Sequence, residues 1–414
     1  MQGRSRSAAL IVDPSLRSAD GHHFGAVQRL KGELLRLGIG CICLASRYLD
    51  ENLRNVEGIV PVFDKSIYRR EEWTRAEFDD FAHEFCEELR TAARAAGANP
   101  DLLIMPSGDQ ATTLGLAQYL GRYRRGKMPE IVIWLLMSPH FKKPIDDPVA
   151  EPLLKEYRDA FQALRSVVDD DSRIRVFCET EVMADAYSRA IGLKVGVVSS
   201  PNLILEPKSR TTRDNGMPIA IVCAGNVNAA KGYSLLPEAV AKLEVIRSDL
   251  RFLVHGTVEN TDNVEGKEIL DRLATLKSVT VRKDVLSPEE YTDWLTQADL
   301  ILLPYDPLVY KTRGSGIFTE AETLGIPVVA TLGCEFAQRA FDDGRAMGIR
   351  RQGVEELVDA IGSAVENLTE ITKRAERFAA LQSVSNEVRA VLEIATQSAK
   401  GRAGWLERLA QRLS

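Results

Sequence analysis

The amino-acid sequence predicts an α/β protein built from two Rossmann-like, doubly wound domains. Short apolar runs typical of buried parallel strands alternate with longer segments whose apolar residues recur at helical spacing. This alternation occurs twice, and a polar stretch with a proline near each end, "LILEPKSRTTRDNGMP" at 203–218, separates the two series. At 414 residues the chain is also longer than one ordinary hydrophobic core needs.

The predicted strands form two series along the chain. The first series contains AALIVD, GIGCICLAS, DLLIMPS, EIVIWLLMS, RIRVFCET and KVGVVSSPN, and the second contains IAIVCAG, LRFLVHG, VTVRKDV, ADLILLPY and IPVVATL. The clearest helices between them are FGAVQRLKGELLRLG and TRAEFDDFAHEFCEELRTAARAAG. We therefore predict one domain over 1–204 and a second over 205–395, followed by an amphipathic helix at about 396–414.

Composition and charge exclude several classes of function. The net charge of −6 disfavours nucleic acid as a partner, because phosphate binding needs a basic surface. No apolar stretch approaches the ~20 residues of a membrane span, and the first apolar run, "AALIV", is short enough to be a strand rather than a signal peptide. The six cysteines form no C-x-x-C pair, which favours buried free thiols in a reducing cytoplasm and no metal site.

Candidate ligand-binding residues follow strands of the second series. Ligands of open α/β sheets bind at the carboxyl ends of the strands. After "IAIVCAG" comes "NVNAAKG", which places Lys231 at the start of the next predicted helix. The segment is not a P-loop, because a P-loop ends in Gly-Lys followed by Ser or Thr. Lys231 is therefore either a ligand-binding lysine or a solvated surface residue.

A second candidate is the stretch "RGSGIFTEAETLG", which follows "ADLILLPY". Gly314 and Gly316 allow a close approach of the backbone to a ligand, and Ser315 is placed to cap the next helix. The N–H groups at such a helix start can bind an anion. Glu320 and Glu322 are two residues apart and diverge on a helix, so only one of them can face a ligand.

These motifs together resemble the C-terminal domain of retaining GT-B glycosyltransferases, glycosyl transferases group 1 and similar to family 4. The resemblance rests on "AGN…AAKG", "DLILLPY" and "GSGIFTEAETLGIPVVAT" and covers roughly 219–331. It is weaker in the N-terminal half, where it rests on "VDPSLRSADGHHFGAVQRLKGELLRLG" and "VVSSPN". The resemblance implies two domains that face each other across a cleft, with the C-terminal helix crossing back to the first domain.

The resemblance also implies roles for residues of the second domain. Glu320 matches the second glutamate of an E-x7-E motif, which accepts hydrogen bonds from the ribose of the donor. Lys231 matches the lysine that pairs with the donor diphosphate. The donor-binding positions also include Gly225 and Asn226 at the strand end and the loop of Gly314, Ser315 and Gly316.

Two positions depart from the family pattern. Thr312 stands where the first glutamate of E-x7-E belongs, and Asn226 stands where the family has an arginine after the strand. Arg313 lies one residue before the glycine loop, so we hypothesise that it supplies the second cation of the diphosphate clamp. The alternative is that Arg313 forms a structural salt bridge.

In the first domain the resemblance points to residues after two strands. His140 follows "WLLMS", where the family often has a histidine lining the sugar site. Gly21, His22, His23 and Phe24, in "DGHHFG", match a loop on the acceptor side; an exposed loop is the alternative. His255 is a weaker candidate, and the basic cluster at 121–127 fits either a solvated loop or peripheral contact with anionic lipid.

The function that the resemblance implies is a metal-independent, retaining transfer of a sugar in polysaccharide or glycoconjugate assembly. The co-substrate is a nucleoside-diphosphate sugar, a UDP- or GDP-sugar, with no tightly bound cofactor, and the acceptor is a saccharide or glycolipid. Two alternatives stay open: a GT-B-fold sugar-nucleotide epimerase, and a non-catalytic protein that binds a nucleotide sugar or scaffolds a partner.

Overall fold

The computed structural model describes residues 8–19, 22–66, 74–95, 100–123, 128–138, 150–199, 201, 216–257, 264–381 and 387–398. Contacts between residues divide the chain into two compact units, residues 1–204 with 384–414 and residues 205–383. We call them the first and the second unit.

The helices and strands alternate along both units. The strands are β1 (Ala8–Asp13), β2 (Gly40–Ser46), β3 (Ile59–Phe63), β4 (Leu102–Gly108), β5 (Glu130–Leu135), β6 (Ile174–Cys178), β7 (Val195–Val197), β8 (Ile219–Asn226), β9 (Leu250–Thr257), β10 (Val279–Arg282), β11 (Leu300–Leu303), β12 (Val328–Thr331) and β13 (Ala346–Ile349).

The α-helices of the first unit are α1 (His22–Arg36), α2 (Glu51–Arg54), α3 (Arg75–Ala95), α4 (Gln110–Leu120), α5 (Ala150–Val167) and α6 (Glu181–Ile191). Those of the second unit are α7 (Leu236–Ile246), α8 (Val264–Ala274), α9 (Pro288–Thr296), α10 (Pro307–Tyr310), α11 (Gly316–Leu324), α12 (Gln338–Asp342), α13 (Val354–Glu366) and α14 (Leu368–Leu381). Residues 387–398 are also helical.

Each unit has one parallel sheet. The strand order is β3-β2-β1-β4-β5-β6-β7 in the first unit and β10-β9-β8-β11-β12-β13 in the second. Both orders are doubly wound, because the chain runs outward in one direction from the first strand of the unit and in the other direction from the strand beside it. The prediction of two Rossmann-like sheets is confirmed.

Apolar residues cover both faces of each sheet, which explains the nearly continuous apolar runs of the strands. In β8, Ile219 and Ile221 belong to one hydrophobic cluster, whereas Ala220 and Val222 belong to the cluster on the opposite face. The sequence analysis did not identify the edge strands β3 and β13. Pro61 interrupts the apolar run of β3, and the run of β13, "AMGI", contains a glycine and has only two buried residues.

The helix at 387–398 belongs to the first unit. Val388, Val391, Leu392 and Ala395 pack into the same hydrophobic cluster as β1. An ion pair between Arg389 Nε and Glu33 Oε2, at 2.7 Å, fixes this helix to α1. The predicted second domain ended at 395, whereas the second unit ends at 383, because the apolar side of this helix is buried on the first sheet. Most of the helix predicted at about 396–414 lies outside the described residues.

The variant Leu392→Ala tests this assignment. Leu392 is fully buried, so the truncation should lower the free energy of unfolding of the first unit by about 2–5 kcal/mol. Ile394, on the same helix, is 57% exposed, and Ile394→Ala should change it by less than about 0.5 kcal/mol. Calorimetric unfolding of both variants measures the difference; equal effects would contradict the assignment.

Candidate functional site

Two strand ends define the candidate site of the second unit. β8 and β11 are neighbours from which the chain continues to opposite sides of the sheet. Helices that lead away from such a pair diverge and leave a crevice at the carboxyl ends of the strands. Gly225 and Asn226 end β8, and Tyr305 follows β11 by two residues.

The segment after β8 positions Lys231. Residues Ala229–Lys231 form a 3-10 turn, which begins where the Asn228 side chain accepts a hydrogen bond from the Lys231 N–H. Gly232 then has a φ of +69°, and a Cβ there would lie 2.1 Å from the Pro304 carbonyl oxygen, so only glycine fits. Lys231 thus ends a 3-10 turn and does not start a helix; α7 begins at Leu236.

The Lys231 ammonium lies at the junction of three elements. A Cβ on Gly225 would approach Lys231 Nζ to 2.7 Å and Ile317 Cδ1 to 3.1 Å, so the lysine occupies the space that the glycine leaves open. The ammonium also lies 5.7 Å from the centre of the Tyr305 ring. The end of β8, the segment after β11 and the first turn of α11 therefore meet around one positive charge.

The first turn of α11 adds hydrogen-bond donors beside this charge. Ser315 caps the helix, as predicted, by accepting a hydrogen bond of 3.3 Å from the Phe318 N–H. The N–H groups of Gly316 and Ile317 have no acceptor one helical turn earlier. A Cβ on Gly316 would meet no atom within 4 Å, so the space beside the helix start is open. An anion is favoured at such a position.

Glu320 lies one turn further along α11. Its Oε2 accepts a hydrogen bond of 2.8 Å from the hydroxyl of Tyr291 in α9. The side chain retains some exposure, but burial around the carboxyl raises its pKa to about 7; the Tyr291 hydrogen bond and the charge of Lys231 oppose this rise. Near neutral pH the Glu320 carboxyl is therefore only partly ionised.

Glu322 has a structural partner. Its Oε1 accepts a hydrogen bond of 2.6 Å from Arg345, a buried arginine that also pairs with Asp343 and packs on the Phe378 ring. The two glutamates diverge as their spacing predicts, and the charge of Lys231 acts on the Glu320 carboxyl.

The two positions that depart from the family pattern are also defined. Asn226 Oδ1 accepts a hydrogen bond from the Thr257 hydroxyl, since the two residues are paired between β8 and β9. Thr312 is buried and neutral. Arg313 lies over the Tyr310 ring, with 5.2 Å to its centre, and no described residue forms an ion pair with it. The alternative of a structural salt bridge is thus not realised among the described residues.

Tyrosines complete the site, and the sequence analysis did not assign them a role. The Tyr233 hydroxyl donates to the carbonyl oxygens of Gly225 and His255 at 3.1 and 3.0 Å, which joins the ends of β8 and β9. His255 is buried, and its ring packs edge-on against Tyr291. Tyr305 is the last residue of the predicted strand "ADLILLPY", a position that could have identified it.

A second polar cluster lies at the equivalent point of the first sheet, where β1 and β4 are neighbours. Asp13, the last residue of β1, is fully buried and lies 2.9 Å from His23 Nδ1. Ser15 and Ser107 donate hydrogen bonds to its other oxygen. Burial favours a raised pKa for Asp13, but the charge and hydrogen bond of His23 outweigh it, so the pKa is lowered.

Three residues that were predicted for the acceptor side lie in a helix, not in a loop. His22, His23 and Phe24 form the first turn of α1. His22 is exposed and its ring contacts that of His23, whereas Phe24 is half-buried against the hydrophobic cluster of β1. The loop interpretation was wrong because the helix begins before the first residue with a helical apolar pattern. Gly21 and His140 lie outside the described residues.

The described residues contain neither a cluster of metal ligands nor a membrane-spanning helix. No group of three or more His, Cys, Asp or Glu side chains is arranged to hold a metal ion. No helix in the described part of the chain is long and apolar enough to cross a membrane.

The sequence of the second unit matches a known family. Residues 218–367 match the family model of glycosyl transferases group 1. The matched range contains β8 to β13 and therefore the whole Lys231–Glu320 site, and it supports a glycosyltransferase function. No curated protein matches the chain in sequence.

Solved structures show the same fold over almost the whole chain. The catalytic domain of starch synthase IV from Arabidopsis thaliana, bound to ADP and acarbose, has a TM-score of 0.66 at 11% identity and covers 96% of this chain and 100% of its own. HepE from Anabaena, in complex with UDP and glucose, has a TM-score of 0.62 at 13% identity with coverage of 96% and 100%. The fold is that of GT-B glycosyltransferases.

An epimerase is less similar. A putative UDP-N-acetylglucosamine 2-epimerase from Listeria monocytogenes has a TM-score of 0.54 at 12% identity and covers 91% of both chains.

The raised pKa of Glu320 predicts a pH-dependent effect of Glu320→Gln on stability. The folded protein binds the proton of Glu320 more tightly than the unfolded chain, so this group lowers stability as pH rises from about 4.5 to about 7. Glu320→Gln removes the desolvated charge and should therefore be more stable than the parent at pH 8, with a smaller difference at pH 5. Urea unfolding at the two pH values measures this.

The control for that measurement is Glu322→Gln. It weakens the ion pair of buried Arg345 and should cost about 1–3 kcal/mol at both pH values. A difference between parent and Glu320→Gln that does not change with pH would contradict a neutral-range pKa.

Proposed function

We propose that the protein transfers a sugar from a nucleoside-diphosphate donor to an acceptor hydroxyl with retention of the anomeric configuration. The observation that carries the proposal is the convergence of the Lys231 ammonium, the helix-start N–H groups of Gly316 and Ile317, and the Glu320 carboxyl at one switch point. A cation and helix donors suit a diphosphate, and a carboxyl suits the hydroxyls of a ribose.

The chemistry assigned to Lys231 and the start of α11 is stabilisation of the leaving group. Cleavage of the bond between the sugar and the diphosphate places a growing negative charge on the leaving phosphate oxygen. Donors that are already fixed in position stabilise this charge without reorganising during the reaction. The Gly232 turn fixes the backbone of Lys231, and Ser315 fixes the start of α11, so both groups are oriented before the donor binds.

Glu320 is the proposed ribose contact, with Glu322 excluded by its ion pair to Arg345. Arg313 is the proposed second cation. Its guanidinium is held over Tyr310 without an acidic partner among the described residues, so its five N–H donors are available to phosphate oxygens. Asn226, the neutral residue at the family's arginine position, instead accepts from Thr257.

For the acceptor side we propose the first unit, with His22, His23, Phe24, Gly21 and His140 as candidate contacts. His23 is the most constrained of these, because Asp13 holds one of its ring nitrogens. The substrate class proposed for this side is a saccharide or glycolipid, in polysaccharide or glycoconjugate assembly.

The second candidate function is a sugar-nucleotide epimerase. It is favoured by one observation, the fold similarity to an enzyme described as a putative 2-epimerase. Incubation with UDP-N-acetylglucosamine, with no acceptor present, separates the two: an epimerase interconverts the sugar nucleotide, whereas a transferase leaves it intact or hydrolyses it slowly.

A thermal-shift screen of UDP-, GDP- and ADP-sugars tests the binding proposal directly. A ligand that binds only the folded state at 100 times its Kd raises the free energy of unfolding by about 2.7 kcal/mol. We expect at least one of these donors, and its free nucleoside diphosphate, to raise the Tm. If none of them does, the protein does not bind a nucleotide sugar and the proposal is wrong.

Lys231→Ala should lower transfer far more than stability. A fixed group that stabilises developing charge contributes about 2.7–4 kcal/mol to the barrier, a 10²- to 10³-fold loss of kcat. The half-exposed lysine contributes little to the core, so its Tm should stay close to that of the parent. Lys283→Ala, which removes an exposed lysine paired with Asp271, serves as the control with unchanged kcat. Unchanged turnover in folded Lys231→Ala would mean that Lys231 is a solvated surface residue with no part in transfer.

The Arg313 proposal is tested through nucleoside diphosphate affinity. Bidentate contact predicts that Arg313→Ala and Arg313→Lys both weaken binding, by about 1.5–3 kcal/mol for the alanine variant, and that Asn226→Arg partly restores the affinity of Arg313→Ala. Titration calorimetry of the four proteins measures this. Binding by Arg313→Ala as tight as that of the parent means that Arg313 does not contact the ligand.

A further inference from the structure

The hydroxyl of Tyr291 ties α9 to the proposed ribose contact. It donates to Glu320 Oε2 at 2.8 Å. No other described residue donates a hydrogen bond to the Glu320 carboxyl, so Oε1 has no partner within the described part of the protein. One carboxylate oxygen is thus engaged by the protein and the other is available to a ligand.

Tyr291 is itself held in place from two directions. Its helix begins with a capping box, in which Ser287 and Glu290 each bond the backbone N–H of the other. On the other side its ring packs edge-on against His255, with 6.2 Å between ring centres. His255 is fixed in turn, because its Nε2 donates to the Asp284 carbonyl oxygen at 3.0 Å.

We propose that Tyr291 is a positioning residue for donor recognition, which holds Glu320 with Oε1 directed to the ribose hydroxyls. The inference rests on the proposed role of Glu320 and goes beyond it by assigning a residue from a different helix. A structural tie between α9 and α11 is the simpler explanation, and it makes different predictions about ligands and pH.

The charge of Glu320 is set by burial and by two neighbours. Lys231 favours the ionised form through its charge, and Tyr291 favours it by hydrogen bonding, whereas burial opposes it. Tyr305, after β11, also lies near this carboxyl: burial chiefly raises the pKa of Tyr305, and the charge of Glu320 adds to the rise. Of these neighbours, Tyr291 makes the hydrogen bond, so its removal should raise the pH at which Glu320 ionises.

The experiment compares the parent, Tyr291→Phe and Glu320→Gln with two ligands over pH 5.5–9. The ligands are UDP and 2′,3′-dideoxy-UDP, with the GDP and ADP pairs run in parallel. The side chain at this position in Glu320→Gln does not titrate. The pH dependence of ligand binding by this variant therefore measures the contribution of the ligand's own phosphate. Tyr123→Phe is the matched control, because it removes a tyrosine hydroxyl that bonds Tyr119 in the first unit.

In the parent we expect the ribose hydroxyls to improve affinity by about tenfold or more, as expected for hydrogen bonds to a charged group. Tyr291→Phe should reduce the ratio of the affinities for the ribose and dideoxyribose ligands by about threefold to tenfold at pH 7.5. It should also shift the pH midpoint of the Glu320-dependent binding profile upward. Carboxyl ¹³C titration of Glu320 without ligand should show the same upward shift. Tyr123→Phe should behave like the parent in all three measurements.

Three results overturn the inference, and they are distinguishable. If the parent binds no nucleoside diphosphate, or does not distinguish the paired ligands, the proposed function of the site fails first. A second result is that the parent binds a nucleoside diphosphate more tightly than its dideoxy analogue, and that Glu320→Gln does not. If Tyr291→Phe then matches the parent in this affinity ratio and in its pH midpoint, only the role of Tyr291 is wrong. If Tyr291→Phe loses equal affinity for both ligands at every pH, Tyr291 is a structural tie.

Discussion

The candidate site depends on one constraint, the close approach of Lys231 to the ends of β8 and β11. The lysine side chain fills the space over Gly225, and its turn lies against the Pro304 carbonyl, where no Cβ fits at Gly232. Both contacts are possible because β8 and β11 are neighbours from which the chain diverges to opposite sides of the sheet. The position of α11, and with it Ser315 and Glu320, follows from the same pair of strands.

The electrostatics of the site follow from this packing. Burial raises the pKa of Glu320 to about 7, so this carboxyl is only partly ionised at neutral pH. The uncompensated N–H groups at the start of α11 add to the positive potential. A fully exposed glutamate at the same place would be ionised at neutral pH, and its negative charge would oppose the binding of an anion. Burial of Glu320 therefore limits the negative charge at this point, whereas the Tyr291 hydrogen bond acts in the opposite direction.

Both sheets place polar residues at the same topological point, but the two clusters differ in character. In the second unit the cluster combines a lysine with helix-start donors around open space at Gly316. In the first unit Asp13 is fully buried, and its oxygens are bonded to His23, Ser15 and Ser107. The helix-start N–H groups of the second unit can donate hydrogen bonds to an anionic ligand, whereas the cluster of the first unit mainly orients a histidine. The fold repeats, and the side chains at the strand ends decide what each copy can bind.

The sequence by itself determined the two parallel sheets, the cap at Ser315 and the divergence of Glu320 and Glu322, because these follow from local periodicity and spacing. It did not reveal the edge strands β3 and β13, whose short or interrupted runs carry weak patterns. Only the tertiary structure decided that 387–398 packs on the first sheet, that Tyr291 bonds Glu320 and that Asp13 bonds His23. Each of these contacts joins residues from different elements, so neither periodicity nor spacing along the chain encodes it.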